Sequence, residues 1–309
     1  MIRRVALTGA TGFIGQHIAA SLAAAGLSVR ALTRGDPPGT TDPGFEWVVG
    51  ELGNEGSLSD LVRGADAVIH CAGAVRSSSA RGFDDVNAEG TARLARAAVE
   101  DGEVKRFLLV SSLAAREPGL SWYAASKRRA EALLEHIAGD DLDWAVFRPT
   151  AVYGPGDREM RSLFLALRRG IMPVLGNREG RLSLLHVEDL VRAVTAWVVR
   201  PGTVTGVFEL HDGAPDGYTW PRIAEITESV LGRPVLTVPV PAGLLFAFAG
   251  LNLTFARIRG AAPMLTPGKV RELRHRDWSC DNEAVTAALA WTPRVDLATA
   301  LRENKAFGA

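Results

Sequence analysis

The chain is poor in cysteine and has no excess of either charge. Only Cys71 and Cys280 occur among 309 residues, which excludes a disulfide framework and a cysteine-built metal centre. Two thiols fit a reducing compartment. Lys plus Arg and Asp plus Glu each total 35, so no net field draws the whole chain to nucleic acid. No secretory pattern follows Met1-Ile2-Arg3-Arg4, because Val5-Ala6-Leu7 runs directly into glycines. A cytoplasmic location is therefore expected. Internal repeats and low-complexity tracts are also lacking. One stretch, 235–256, carries no charge, but Pro239 and Pro241 break its first part. From Ala242 too few residues remain for the ~20 that span a bilayer. A buried or interfacial helix is expected there, which leaves peripheral membrane contact open and excludes a transmembrane span.

What is present is a well-filled interior and an alternating pattern. Hydrophobic residues make up 47% and charged residues 23%, enough for a packed core. Short apolar strands are expected at 4–8, 28–33, 45–49, 67–71, 106–111 and 144–148. Helical spacing fills 13–25, 87–101 and 122–137 between them. Strand–helix alternation predicts an α/β fold, a doubly wound parallel sheet of Rossmann type with helices on both faces. The later part is more irregular, with helices expected at 157–169, 187–199, 219–231 and 283–290. The expected division is a dinucleotide-binding domain over 1–154, to which 181–205 returns, and a smaller C-terminal substrate lobe from 155–180 and 206–309.

The segment LTGATGFIG places Gly9, Gly12 and Gly15 where a strand becomes a helix. Glycines there allow a tight turn, close approach of a ligand phosphate, and close helix–strand packing. The helix start adds unpaired N–H groups and a favourable dipole for a pyrophosphate. The strand before and the βαβ pattern after give this turn its meaning, since glycine-rich turns alone are common.

The Gly-x-x-Gly-x-x-Gly spacing with these neighbours resembles the extended short-chain dehydrogenases/reductases, the NAD-dependent epimerase/dehydratase family. The resemblance continues in Tyr123-Ala-Ala-Ser-Lys127, in RFLLVSS ending at Ser112, and in VNAEGT with Asn87. It extends through DAVIHCAGAV (66–75), FRPTAVYGPGD (147–157) and LLHVEDLVRAV (184–194) to VTAALAWTPRVDLATAL, nearly the whole chain. Positions four apart share a helix face. A lysine ammonium beside a phenol is expected to move Tyr123 from ~10 toward working pH, making it a general acid/base. The resemblance implies that Ser112 orients a substrate oxygen, that Lys127 holds the nicotinamide ribose, and that Asn87 helps relay protons. It also implies a dinucleotide lined by Gly9, Thr11, Gly12, Phe13, Ile14, Gly15, Thr33, Arg34, Glu51, Leu52, Cys71, Ala72, Gly73, Tyr123, Lys127 and Pro149. No metal is implied, and a homodimer through helices flanking the Tyr-Lys segment is.

An acidic residue ending the second strand would bind a ribose 2′-hydroxyl and signal NAD. Here Thr33 and Arg34 stand there and Asp36 lies farther along, so NADP(H) is favoured over NAD(H). Three departures bear on the substrate. Leu113-Ala114 replaces the Asp-Glu of the family's dehydratases, Ala151 replaces an Asn that contacts a nucleotide diphosphate, and Leu182 replaces an Arg, with Arg181 one step off. The expected function is an NADP(H)-dependent oxidoreductase on a small-molecule carbonyl or alcohol. The uncharged PAGLLFAFAGLNLTF (241–255) either lines or caps a lipophilic pocket or is a core or dimer-contact helix. An NAD-dependent sugar-nucleotide epimerase and a non-catalytic cofactor-binding scaffold are the alternatives. His186 and Asp189 read as a polar helix start, and Cys71 as a small apolar filler.

Overall fold

The computed structural model describes residues 2–37 and 44–304. The chain opens with β1 (Arg4–Thr8), α1 (Phe13–Ala24), β2 (Ser28–Thr33), β3 (Phe45–Val49) and α2 (Glu55–Val62). There follow β4 (Ala67–His70), α3 (Ala80–Asp101), β5 (Arg106–Val110), α4 (Trp122–Ala138) and β6 (Asp143–Pro149). Next come β7 (Ala151–Tyr153), α5 (Arg161–Arg168), β8 (Ile171–Val174), β9 (Arg181–Leu182), β10 (Leu184–His186) and α6 (Val187–Val199). The rest is β11 (Gly206–Leu210), β12 (Tyr218–Thr219), α7 (Trp220–Leu231), β13 (Leu236–Pro239), α8 (Ala242–Arg259), α9 (Pro267–Leu273), α10 (Glu283–Leu289) and α11 (Leu297–Arg302).

Seven strands form one parallel sheet in the order β11-β6-β5-β4-β1-β2-β3. The strands are apolar because both faces are covered. One face carries α1 and α6 over Val5, Leu7, Ile69, Leu108 and Phe147; the other carries α2, α3 and α4 over Ala6, Val68, Phe107 and Val146. Each fully buried Leu, Ile or Phe contributes about 1.5–3 kcal/mol. Strand order reverses between β4 and β1, so a crevice opens at their C-terminal ends, the place where such sheets bind ligands.

Short paired strands (β7 with β10, β9 with β12, β8 with β13) and α5, α7 and α11 surround a third apolar cluster that includes Tyr153, Phe164, Met172, Trp220 and Leu297. The boundary expected at 206 needs correction. Gly206–Leu210 is the outer strand of the large sheet beside β6, and Val285, Leu289 and Trp291 join the sheet's own core. Glu209 disguises that strand in the sequence; its carboxylate faces Arg116 and Arg148.

Two helices differ in extent from expectation. The α3 helix starts at Ala80 because Ser79 caps it, accepting from Gly82 N. The α5 helix starts late because Asp157 accepts from Glu159 N and Met160 N in a turn of its own. Asp189, at the start of α6, is fully buried and accepts from Arg294 N and Val295 N, so this helix start also clamps the C-terminal segment.

Candidate active site at the sheet edge

All seven strands point their C-terminal ends to one edge, so residues far apart in sequence meet there. The turn after β1 depends on its glycines. Gly9 has φ +79°, and a Cβ on it would lie 2.7 Å from Ala72 N. A Cβ on Gly15 would lie 1.9 Å from the Gly9 carbonyl oxygen. These contacts bring the start of α1 against β1 and the loop after β4. Thr8 Oγ1 and His70 Nδ1 are hydrogen-bonded at 2.6 Å, and Ala72 N donates to the same hydroxyl.

Helix α1 has no side-chain cap at Gly12 and no acid in its first turn, whereas Asn54, Ser79, Ser121 and Thr219 cap α2, α3, α4 and α7. Its first N–H groups, at Phe13 and Ile14, thus suit a pyrophosphate. Thr11 and Gly12 are exposed, Phe13 and Ile14 half-buried. Thr33 is buried at the end of β2 with Arg34 exposed beside it, and Glu51 is exposed after β3. Leu52 packs on Gly90 of α3. Pro149 ends β6 opposite Leu210. The residues present fit a dinucleotide along this edge.

Lys127 is buried, and its Nζ donates to the Val110 carbonyl at 3.1 Å. A Cβ on Gly73 would lie 3.1 Å from both Lys127 Nζ and Asn87 Oδ1, so the loop passes close to the lysine. Burial lowers the Lys127 pKa, and Cys71 and Glu131 partly restore it. Burial pushes the Cys71 thiol up to about 12 despite Lys127, which leaves it a neutral filler. Burial, helped by Lys127, holds His70 down at about 3, so that ring is neutral.

Tyr123 stands in the first turn of α4, edge-on to Phe83 at 6.0 Å. Its hydroxyl lies beside Ser112. The expected shift toward working pH does not occur. Burial dominates and raises the phenol; the Ser112 hydroxyl and the Lys269 ammonium pull it down, and Glu272 adds to the rise. The lysine acting on this hydroxyl is Lys269 of α9, while Lys127 faces Gly73, Cys71 and His70.

Asn87 is tied into the loop after β4. Its Oδ1 accepts from Ala74 N at 2.7 Å, and its Nδ2 donates to the Ala74 carbonyl and to Ser126 Oγ. Both ends of the amide hold the loop after β4 against α4.

Two groups of residues escaped the sequence reading. Behind the site, Arg148 of β6 makes two bonds to Glu131 of α4, at 3.0 and 2.6 Å, and Ser111 Oγ donates to the same carboxylate. Glu131 stands four residues after Lys127 on one helix face, a spacing that could have revealed it. In front, the buried Glu272 carboxylate accepts from Ser121 Oγ and pairs with Lys269 at 3.0 Å. Ser121 is the cap of α4, so α9 is tied to the turn that carries Tyr123. No local pattern announces a contact made so far along the chain.

The profile of the NAD dependent epimerase/dehydratase family matches residues 5–206. The chain belongs to this family. It is 40% identical over 278 residues to a ceramide reductase of Caulobacter vibrioides, covering 89% of this chain and 85% of that protein. It is 27% identical over 266 residues to a UDP-glucose 4-epimerase of Vibrio cholerae, covering 78% and 80%. Among solved structures, MoeE5 in complex with UDP-glucuronic acid and NAD superposes with a TM-score of 0.73 at 24% identity, covering 97% of this chain and 96% of that one. That likeness shows the fold. The protein is thus an NAD(P)-dependent enzyme of the extended short-chain dehydrogenase/reductase type, with a nicotinamide dinucleotide as its cofactor.

Proposed function

We propose that the protein is an NADP(H)-dependent reductase of a ketone on a long-chain amide lipid, the oxidised counterpart of a ceramide. The observation that carries this reading is a contrast within one site. Ser112 and Tyr123 stand side by side with Lys127 buried on the same helix as the phenol, while the positions for a dehydratase acid/base pair and for diphosphate contacts carry Leu113-Ala114, Ala151 and Leu182. Proton transfer to a carbonyl is retained; the partners a nucleotide diphosphate needs are missing. The ceramide reductase likeness supports the same substrate class.

In this reading the bound dinucleotide supplies the two-electron reduction. The Tyr123 hydroxyl donates the proton to the carbonyl oxygen. Ser112 holds that oxygen by its own hydroxyl. Lys127 would hold the nicotinamide ribose, and the first turn of α1 the pyrophosphate. Arg34 would pair with a 2′-phosphate. A homodimer through α3 and α4 and a cytoplasmic location belong to the same proposal, the first from the family resemblance and the second from the two thiols kept free.

The test supplies NADPH and a detergent-dispersed long-chain N-acyl amino ketone and follows loss of NADPH absorbance. The wild type is expected to turn over, and Tyr123→Phe to lose about 10²–10⁴-fold in kcat. Absence of turnover on the lipid ketone, together with epimerisation of a UDP-sugar in the presence of NAD, would overturn the proposal.

A further inference from the structure

Helix α8 is apolar on two opposite faces. The inner stripe, Leu245, Ala249, Leu253 and Ala256, packs against the protein. The outer stripe repeats at alternating steps of four and three residues, the spacing that lines up one helix face. It consists of Leu244, Phe248, Leu251, Phe255 and Ile258, which are 54, 65, 58, 58 and 77% exposed. The helix is therefore no core element, as one sequence expectation had it. A contiguous apolar strip of this kind on a folded surface marks an interaction site.

The stretch of chain that carries it holds charges of one sign. Between Glu228 and Glu272 the chain has no acidic residue and five basic ones, Arg233, Arg257, Arg259, Lys269 and Arg271. Arg257 and Arg259 close the last turn of the helix. A second copy of α8 brings no carboxylate to meet these cations, in either orientation. An anionic lipid surface supplies both an apolar layer for the stripe and phosphates for the arginines. Helix α8 has 18 residues, and no helix of the described residues is long and apolar enough to cross a membrane. Docking therefore means lying in the interface.

We propose that the outer face of α8 docks on an anionic lipid bilayer, with Leu244, Phe248, Leu251, Phe255 and Ile258 entering the interface and Arg259 at the phosphate level. The placement relative to the site gives this surface a use. Arg257 donates to the Ser78 carbonyl and lies over the Trp122 ring at 5.8 Å, and Trp122 is the neighbour of Tyr123. Asn252 of the same helix donates to the Leu265 carbonyl, just before α9. The C-terminal end of α8 is thus bound to the two segments that flank the phenol.

Docking rests on this surface and not on the identity of the substrate. The full chain is sedimented with vesicles of phosphatidylglycerol and phosphatidylethanolamine, and separately with phosphatidylcholine alone. Preferential binding to the anionic vesicles is expected, weakened by salt. Leu251→Glu and Phe255→Glu, each at a solvent-facing position, are expected to weaken it at least tenfold with an unchanged circular dichroism spectrum and thermal midpoint; Arg259→Glu is expected to weaken it on anionic vesicles only. Wild-type chain left in the supernatant would overturn the proposal. So would Leu251→Glu turning a stable dimer into monomers without changing vesicle binding, for the stripe would then be covered by a second copy. Vesicle binding without turnover of the lipid ketone would sink the substrate reading and leave this one standing; turnover without vesicle binding would do the reverse.

Discussion

Removing Arg148 from its carboxylate partner is the sharpest physical test of the frame behind the site. The two side chains are 9% and 5% exposed, with bonds of 3.0 and 2.6 Å. Bonding to Glu131 holds the guanidinium firmly charged, above its ordinary pKa, against the pull of burial. Arg148→Met keeps most of the volume and strands the Glu131 carboxylate. What remains to it is the Ser111 hydroxyl and Arg128 at 3.6 Å, the latter more than half exposed. Breaking a buried pair from one side costs about 3–5 kcal/mol. At about 2–4 °C per kcal/mol for a chain of this size class, the thermal midpoint falls by roughly 6–20 °C.

The second half of the experiment separates a stranded charge from lost packing. In Arg148→Met/Glu131→Met no charge is left uncompensated, and apolar replacement of a buried pair is often neutral or stabilising. The double variant is therefore expected to recover more than half of the loss. The assay is urea unfolding followed by circular dichroism, with both single variants to close the cycle. A cost below about 1 kcal/mol for Arg148→Met, or a double variant less stable than that single, would refute the reasoning.

Two further outcomes are expected. Arg34→Glu should weaken NADPH binding about ten- to hundredfold, the worth of one or two charge-assisted bonds, and leave NADH little changed; an unchanged preference for NADPH would make the 2′-phosphate assignment wrong. Asp212 is buried and accepts from the Tyr218 hydroxyl at 2.8 Å, and burial raises its carboxyl from 3.8 to about 7. The folded chain keeps this proton where the unfolded chain has lost it, so the group's stabilisation is whole below 3.8 and is lost as pH rises through about 7. The slope is about 1.4 kcal/mol per pH unit across that window. Denaturation of Asp212→Asn should lack this component, and identical slopes in the two proteins would refute it.

The five inner strands β1, β2, β4, β5 and β6 were legible because strands buried on both faces must be short and apolar, with no other pattern in competition. The glycine turn was legible because its spacing is dictated by close contacts that any side chain would break, as at Gly9 and Gly15. What stayed hidden depends on contacts between distant segments. The β11 strand reads as irregular because Glu209 interrupts its apolar run, and only Arg116 and Arg148 explain that glutamate. The motif placed Lys127 correctly on the helix of Tyr123 but could not weigh burial against it. For α8 the charge pattern revealed a helix, while its lack of cover on one side depends on what packs beside it.

The helix turn that carries the Tyr123 phenol is held from two directions. From the sheet side, β5 and β6 fix α4 through Ser111, Glu131 and Arg148. From the other side, α9 grips the cap of α4: Glu272 bonds to Ser121, and Gly268 comes so close that a Cβ on it would lie 2.9 Å from that of Ser121. The first set stands on the sheet, behind the site. The second arrives from 267–273, at the end of the acid-free stretch that carries the exposed stripe. A change in α8 can therefore reach the turn that carries Tyr123 through α9 while the bonds of Ser111, Glu131 and Arg148 on the sheet side stay in place.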